Sequence, residues 1–207
     1  MSETDPARRR AMAGLVSCAV LLPVSILFLD RPIASFSHAV LHGIHAFIWL
    51  TWIADVPAPA AILGLAGAGL AWIAGWRPGA AGRTLLALCL ATLLALAIKD
   101  QLKFACGRLW PETWVNNNPS WIGSGAYGFA PFHGGAGWGS FPSGHTTAIT
   151  APCAVLWARV RAARPLWAAL VLLVAVGLLG ADFHFFGDVL GGLYLGVACA
   201  AFTLAVI

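Results

Sequence analysis

Ser140-Phe141-Pro142-Ser143-Gly144-His145-Thr146-Thr147 stands where a glycine-rich polar segment gives way to an apolar run beginning at Ala148. The stretch has the chemistry of a helix start. Proline suits the first turn, where its missing N–H would have no partner, and this assigns Pro142 to that turn. Ser140 or Ser143 can cap free backbone donors. Gly144 lets a ligand come close to the main chain. A helix start presents unpaired N–H groups and the positive end of the helix dipole, which together form a ready anion site. His145 sets a proton donor beside any anion held there. The plainer reading is a capped helix end with one histidine near a membrane surface. The surroundings decide between the two.

Those surroundings are apolar. The 207-residue chain is 60% hydrophobic and only 10% charged, with a mean hydropathy of +0.83. Soluble domains carry roughly 25% charged residues. The composition therefore points to an integral membrane protein with the bilayer as its surroundings, and no nucleic-acid partner is expected. Cys18, Cys89, Cys106, Cys153 and Cys199 lie in or beside apolar runs without paired spacing, and read as free thiols. A polar tail, 1–10, ends in Arg8-Arg9-Arg10. No convincing small-residue cleavage site follows it, so the next run reads as a retained span.

A membrane span needs about 20 apolar residues. Six are expected, at about 11–29, 60–76, 84–104, 143–157, 166–181 and 185–207. The segment 31–59, with Phe36, Phe47, Trp49 and Trp52, reads as an amphipathic helix at the interface. The expected fold is an all-α, polytopic six-helix bundle forming one domain over 1–207. A long loop at 105–142, rich in Gly, Asn, Pro and Trp, connects the third and fourth spans. Loops of that length are usually functional.

Basic residues orient the bundle. With the N-terminus in the cytoplasm, eight of the 12 Lys and Arg face inward: Arg8, Arg9, Arg10, Arg77, Arg83, Arg159, Arg161 and Arg164. Arg31, Lys99, Lys103 and Arg108 face outward. The positive-inside rule thus favours both termini in the cytoplasm, with a bacterial inner membrane as the expected location. The same topology brings three chain-distant polar clusters to the outer face: 103–108, 143–145 and 184–188.

Their chemistry converges. His184 and Asp188 are four residues apart and share a helix face if the last helix has begun. A carboxylate so placed can hold the imidazole Nδ1–H and leave Nε2 as a nucleophile. With His145 nearby, one histidine attacks phosphorus and the other protonates the leaving oxygen. Lys103 and Arg108 would neutralise the phosphoryl oxygens. No metal and no other cofactor is expected, because Glu112 is the only acid of the loop.

Pro142-Ser143-Gly144-His145, followed by His184-x3-Asp188, resembles the type 2 phosphatidic acid phosphatase family. That family embraces lipid phosphatases, glucose-6-phosphatase and vanadium haloperoxidases. Its motifs are Lys-x6-Arg-Pro, Pro-Ser-Gly-His and Ser-Arg-x5-His-x3-Asp. The resemblance covers about 99–192 and the six-span layout. It implies His184 as the nucleophile of a phosphohistidine, Asp188 as its orienting group and His145 as general acid. It further implies Ser143, the Gly144 backbone and Lys103 as phosphate-binding groups. Two positions depart from the pattern. Trp110, before Pro111, stands in place of the first-motif arginine, with Arg108 as its expected substitute. Gly177 and Leu178 replace the Ser-Arg pair. Lys99, Glu112 and His133 are read as accessory groups, and Asp182 as a further one.

The expected function is hydrolysis of a lipid phosphate. The substrate is an isoprenyl diphosphate, phosphatidic acid, phosphatidylglycerol phosphate or a phosphorylated lipid A, and oligomeric state is left open. Transfer of the phosphoryl group to another lipid uses the same residues. A non-catalytic lipid-phosphate binder is the reading that the absent arginines favour. A transporter is disfavoured because the charges gather at one face, not at the midplane. His38, His42 and His45 share a helical face at metal-like spacing, but no carboxylate or cysteine is expected to join them, and they read as a polar face toward headgroups. Asn116-Asn117-Asn118 reads as a turn. Trp110, Trp114 and Trp121 read as interfacial anchors or as the lining of a path for lipid tails.

Overall fold

Within a bilayer no water satisfies backbone N–H and C=O groups, so apolar runs of this length must close their hydrogen bonds internally. The computed structural model, which describes residues 6–114 and 117–207, follows this rule and has no extended strand among those residues. Helix α1 (Pro6–Val24) continues through a π-helical turn, Ser25–Leu29, into α2 (Asp30–Leu41). After a turn at 42–44 come α3 (His45–Thr51), a 3-10 turn at Trp52–Asp55 and α4 (Pro57–Ile73). The remainder is α5 (Ala80–Cys106), the short α6 (Trp121–Ser124), α7 (Gly144–Arg159), α8 (Arg164–Gly180) and α9 (Phe186–Val206). The tail expected at 1–10, with Arg8, Arg9 and Arg10, and Asn116 of the expected turn fall outside the described residues or side chains.

Among the described residues, five continuous helical stretches are long and apolar enough to cross a membrane: Met12–Leu41, His45–Ile73, Ala80–Cys106, Arg161–Gly180 and Phe186–Val206. The sixth apolar helix, α7, has 16 residues. At 1.5 Å per residue it is about 24 Å long, short of a hydrocarbon core about 30 Å thick. It can be short because it is enclosed by protein: it packs against α4, α5, α8 and α9 and buries most of its first three turns. The outward faces of the surrounding helices carry exposed apolar side chains such as Leu63, Leu70, Ile73 and Leu172. That is the pattern of an integral membrane protein, an all-α bundle as the composition implies.

The segment 31–59 is helical, and Phe36, Trp49 and Trp52 are exposed on it. It is divided, however: α2 prolongs the first span and α3 opens the second. The break falls at Gly43, whose φ of 84° lies in the region that side chains other than glycine's rarely adopt. Phe47 of α3 packs onto α8 where Gly177 and Gly180 leave room, and a Cβ at Gly180 would lie 2.4 Å from its ring.

Close packing of α7 on α9 sets the active face. Gly192 and Gly196, four residues apart, let the helices touch; their Cβ positions would lie 2.6 Å from the Ser143 carbonyl oxygen and 2.7 Å from Thr150 Cβ. Small residues at that spacing are the usual device for close helix contact in lipid. Five cysteines, Cys18, Cys89, Cys106, Cys153 and Cys199, are free thiols.

The long loop between α5 and α7 is ordered by its own backbone. Gly107 ends α5 in a left-handed conformation (φ 58°), where a Cβ would collide with the Ala130 carbonyl oxygen. Arg108 then pairs with Phe129 on one side and Gly139 on the other, and Trp110 pairs with Ser120. These bridges draw the two ends of the loop together and lead the chain into Ser143 at the start of α7.

Candidate active site

Ser143 is the N-cap of α7, its Oγ accepting from the Thr146 N–H at 3.3 Å. Pro142 therefore lies just before the helix, not in its first turn as the sequence reading assigns it. Ser140 is not a cap either. Its hydroxyl donates to Asp188 Oδ2 at 2.6 Å, a contact between residues 48 positions apart that local sequence cannot reveal.

Asp188, fully buried near the start of α9, is held from three sides. Oδ2 accepts from Ser140 Oγ and from the Phe185 N–H at 2.9 Å, and Oδ1 accepts from Arg108 Nη1 at 2.6 Å. His184 Nδ1 lies 3.5 Å from Oδ2 and equally 3.5 Å from Ser140 Oγ. These are long contacts, at the edge of hydrogen bonding. They direct Nδ1 toward the carboxylate and leave Nε2 on the other side of the ring. Burial pushes the His184 imidazole down to about 4, against the upward pull of Asp188, so the ring is neutral at physiological pH. The Trp110 ring packs 5.0 Å from it, centroid to centroid.

Arg108 departs from the sequence reading. Expected at the substrate phosphate, it is fully buried behind His184 and Asp188. Nη1 bonds Asp188, while Nη2 bonds Asp30 Oδ2 and the Tyr127 hydroxyl. Phe129 and Phe185 lie 4.8 and 4.7 Å from its guanidinium. Burial alone would lower its pKa, but Asp188 and Asp30 raise it above the ordinary arginine value. Asp30 is the residue that the sequence reading missed. It also accepts from Ser25 Oγ at 2.9 Å and from the Gly187 N–H at 2.7 Å. A Cβ at Gly187 would sit 3.0 Å from the Asp30 carboxylate, which explains glycine there.

In front of this buried relay lies a cavity of about 580 Å³. His184 and His145 line it together with Lys99, Lys103, Gly144, Trp110 and Trp114. A histidine from α7, a histidine from the turn before α9, two lysines and the start of α7 thus share one space. Lys103 Nζ donates to the Gly139 carbonyl oxygen, and Lys99 Nζ pairs with Asp100 at 2.7 Å. His145 Nε2 lies 3.7 Å from Asp55 Oδ1, a partner supplied by the turn after α3. A larger groove of about 660 Å³ between α7, α8 and α9 is almost wholly apolar and has no acid, base or cation for chemistry.

Other expected residues fall elsewhere. Ser143 is fully buried in its capping role, with its N–H donated to the Asp188 carbonyl oxygen at 3.0 Å. Leu178, at the position of the absent arginine, is buried in a core of Ala54, Ile149, Val174 and Val189. His133 packs its ring 4.0 Å from Trp138 and does not line the cavity. Glu112 turns away to His38, 3.3 Å from its Nδ1. Trp121 stacks on Tyr127 and donates to Ser35 Oγ, while Trp110 and Trp114 line the cavity.

The fold has a counterpart among solved structures, described as the crystal structure of the first transmembrane PAP2 type phosphatidylglycerolphosphate phosphatase from Bacillus subtilis. The match has a TM-score of 0.54 at 17% identity, and covers 95% of this chain and 92% of that one. No curated protein matches the sequence. The family pattern of the PAP2 superfamily matches residues 84–207, which takes in α5 from Thr84 onward, the long loop after it, and α7 to α9 with every residue that lines the cavity from those elements. By that match over more than half of its length, the chain belongs to the PAP2 superfamily.

Proposed function

We propose that the protein is a membrane lipid phosphatase that works through a phosphohistidine. The observation that carries this reading is the single cavity in which His184, backed by a buried carboxylate, meets His145 and two lysines. His184 Nε2 attacks phosphorus, the P–O bond to the leaving group breaks, and His145 supplies the proton to that oxygen. Asp188 holds the Nδ1–H and stabilises the imidazolium as it forms. Water then cleaves the N–P bond, with His145 taking its proton. Lys99, Lys103 and the free N–H groups at the start of α7 balance the phosphoryl charge. Lys99 supplies a positive charge to a site where the family pattern has arginine. The step as written routes no electrons or protons through a metal.

The aromatic and apolar walls beside bilayer-spanning helices favour a lipid carrying a mono- or diphosphate. The Bacillus subtilis protein, described as a phosphatidylglycerolphosphate phosphatase, is of that class. The test is inorganic phosphate release by detergent-purified protein in buffer with no added metal. Phosphatidic acid, phosphatidylglycerol phosphate, an isoprenyl diphosphate and a phosphorylated lipid A form the panel. Release from at least one is expected, and that substrate ranks the class. A protein that releases phosphate from none would remove the hydrolase reading.

We also propose that the cavity opens at the outer, periplasmic face of a bacterial inner membrane. Arg77, Arg83, Arg159, Arg161 and Arg164 lie at the opposite ends of the helices from Lys99 and Lys103. A reporter domain fused after Ile207 should be active only in the cytoplasm. Activity outside would reverse the orientation.

A further inference from the structure

Beside the cavity, on the same face of the bundle, three elements bring together ligand-type side chains that the mechanism does not use. His38 and His42 project from adjacent turns at the end of α2, Glu112 comes from the outer loop, and Asp182 from the turn between α8 and α9. One nitrogen or oxygen from each lies within 4.8 Å of all the others. His38 Nδ1 is 3.0 Å and His42 Nδ1 3.2 Å from the same oxygen, Asp182 Oδ2, and His38 Nδ1 is 3.3 Å from Glu112 Oε2. We propose that these four residues bind a borderline divalent transition-metal ion, best matched by Zn²⁺, which clamps the outer ends of α2, the loop and the α8–α9 turn.

The first support is spacing. Zinc takes nitrogen and carboxylate ligands at about 2.0–2.2 Å in a tetrahedron, so its ligand atoms lie roughly 3.3–3.5 Å apart. Three of the separations, 3.0, 3.2 and 3.3 Å, lie close to that value, and all lie within 4.8 Å. Each imidazole faces the centre through Nδ1. When the ion enters, the Nδ1 proton gives way to an Nε2–H tautomer and the Nδ1 lone pair becomes the ligand, so neutral histidines bind without net loss of a proton.

The second support is independent. The Asp182 side chain is fully buried, and its other oxygen, Oδ1, has no hydrogen-bond partner among the described residues. An unsatisfied buried carboxylate oxygen is costly, and Asp182 also holds a left-handed backbone at φ 58°. Two carboxylates converge here, and among the described residues their ion pairs are with histidine alone, with no lysine or arginine. A divalent cation neutralises that pair. The mixture of two imidazoles and two carboxylates, with no thiolate, is the ligand set of a borderline ion, less suited to Mg²⁺ or Ca²⁺, which prefer all-oxygen shells.

His45, the third member of the histidine spacing in the sequence, is exposed and outside the group. The carboxylates that take its place lie 70 and 140 residues beyond His42 in the chain, so sequence spacing alone does not reveal the set. The Trp114 indole N–H donates to the Asp182 carbonyl oxygen at 3.3 Å, and Trp114 lines the cavity. An ion on Asp182 would therefore steady one wall of the cavity and the turn that carries His184. The inference stands on these residues whether or not the cavity is a phosphatase site.

The experiment uses the untagged full chain in detergent, stripped with a chelator, exposed to Zn²⁺ and passed through a desalting column. Metal content is read by mass spectrometry and thermal unfolding is followed with and without Zn²⁺. About one Zn²⁺ per chain and a zinc-dependent rise in Tm are expected for wild type and for His45→Ala. His42→Gln and Asp182→Asn should retain less than about a tenth of that metal and show no rise. Their affinity should fall by more than the about 10–100-fold that loss of an outer-shell partner costs. Should Asp182→Asn fail to fold, His42→Gln, at a half-exposed side chain, still decides the matter. Wild type that holds no zinc, or a His42→Gln variant that holds as much as wild type, overturns the proposal and leaves a proton-bridged cluster in its place.

Discussion

Alanine at position 184 should lower phosphate release by at least about 10³-fold, with little change in the folded state. The reasoning starts from what remains when the ring is removed. Asp188 keeps Arg108, Ser140 and the Phe185 N–H, so no buried charge loses its partner. The space left by the ring joins a cavity that is already open. What disappears is the imidazole that Asp188 orients toward the cavity, and with it the proposed nucleophile. Transition-state stabilisation by Lys99, Lys103 and the α7 start persists, which is why some residual rate over uncatalysed hydrolysis is expected. Ser140→Ala acts through Asp188 and should cost far less, about tenfold, because one of three partners is lost. Initial rates on the best substrate, measured beside Tm for each variant, check the order. A His184→Ala protein within tenfold of wild type would place the nucleophile elsewhere, and His145 would be the next residue to examine.

The parts of this site that sequence discloses are those set by local geometry. The Ser143 cap and the start of α7 follow from rules of helix ends, whereas the pairing of His184 with Asp188 does not come from a shared helix face, because α9 begins at Phe186 and His184 lies before its cap, Phe185. The membrane bundle follows from hydropathy, and so does the short α7, whose 16 residues at Gly144–Arg159 match the span read at 143–157. Partners across the chain are a different matter. Asp30 sits at the end of an apolar run, with no motif around it, and finds Arg108 78 positions later. Asp55 meets His145 because α3 folds over the outer end of α8 and carries the following turn to the cavity. Arg108 itself looked like a phosphate ligand because a positive charge next to a histidine site is usually turned toward the substrate. Its actual direction is decided by which carboxylates the tertiary packing buries around it. The same blindness hid the company of His38 and His42: the histidines are visible as a spacing, while their acids arrive from the loop and the α8–α9 turn.

Arg108→Ala should destabilise the protein by about 3–5 kcal/mol, the cost of leaving buried charge without its partner. For a chain of this size that is a fall in Tm of roughly 6–20 °C. Arg108 joins two fully buried carboxylates, Asp30 and Asp188, and without it both stand uncompensated at the junction of the α1–α2 turn, α9 and the long loop after α5. The Ser25, Tyr127 and Gly187 donors on Asp30, and the Ser140 and Phe185 donors on Asp188, would remain but carry no full charge. Adding Asp30→Asn to Arg108→Ala should recover part of the loss, since it removes one of the two orphaned charges, whereas Asp30→Asn in the wild-type background should itself destabilise. A residue that bound the substrate phosphate would behave differently. Its loss would raise KM and leave Tm where it was, because in the unliganded protein it would face water. Thermal unfolding of the two single variants and the double variant, with KM for the same proteins, separates these cases. The geometry here requires the stability pattern: a guanidinium enclosed by Phe129, Phe185 and Tyr127 has no path to the cavity that does not first break its bonds to Asp30 and Asp188.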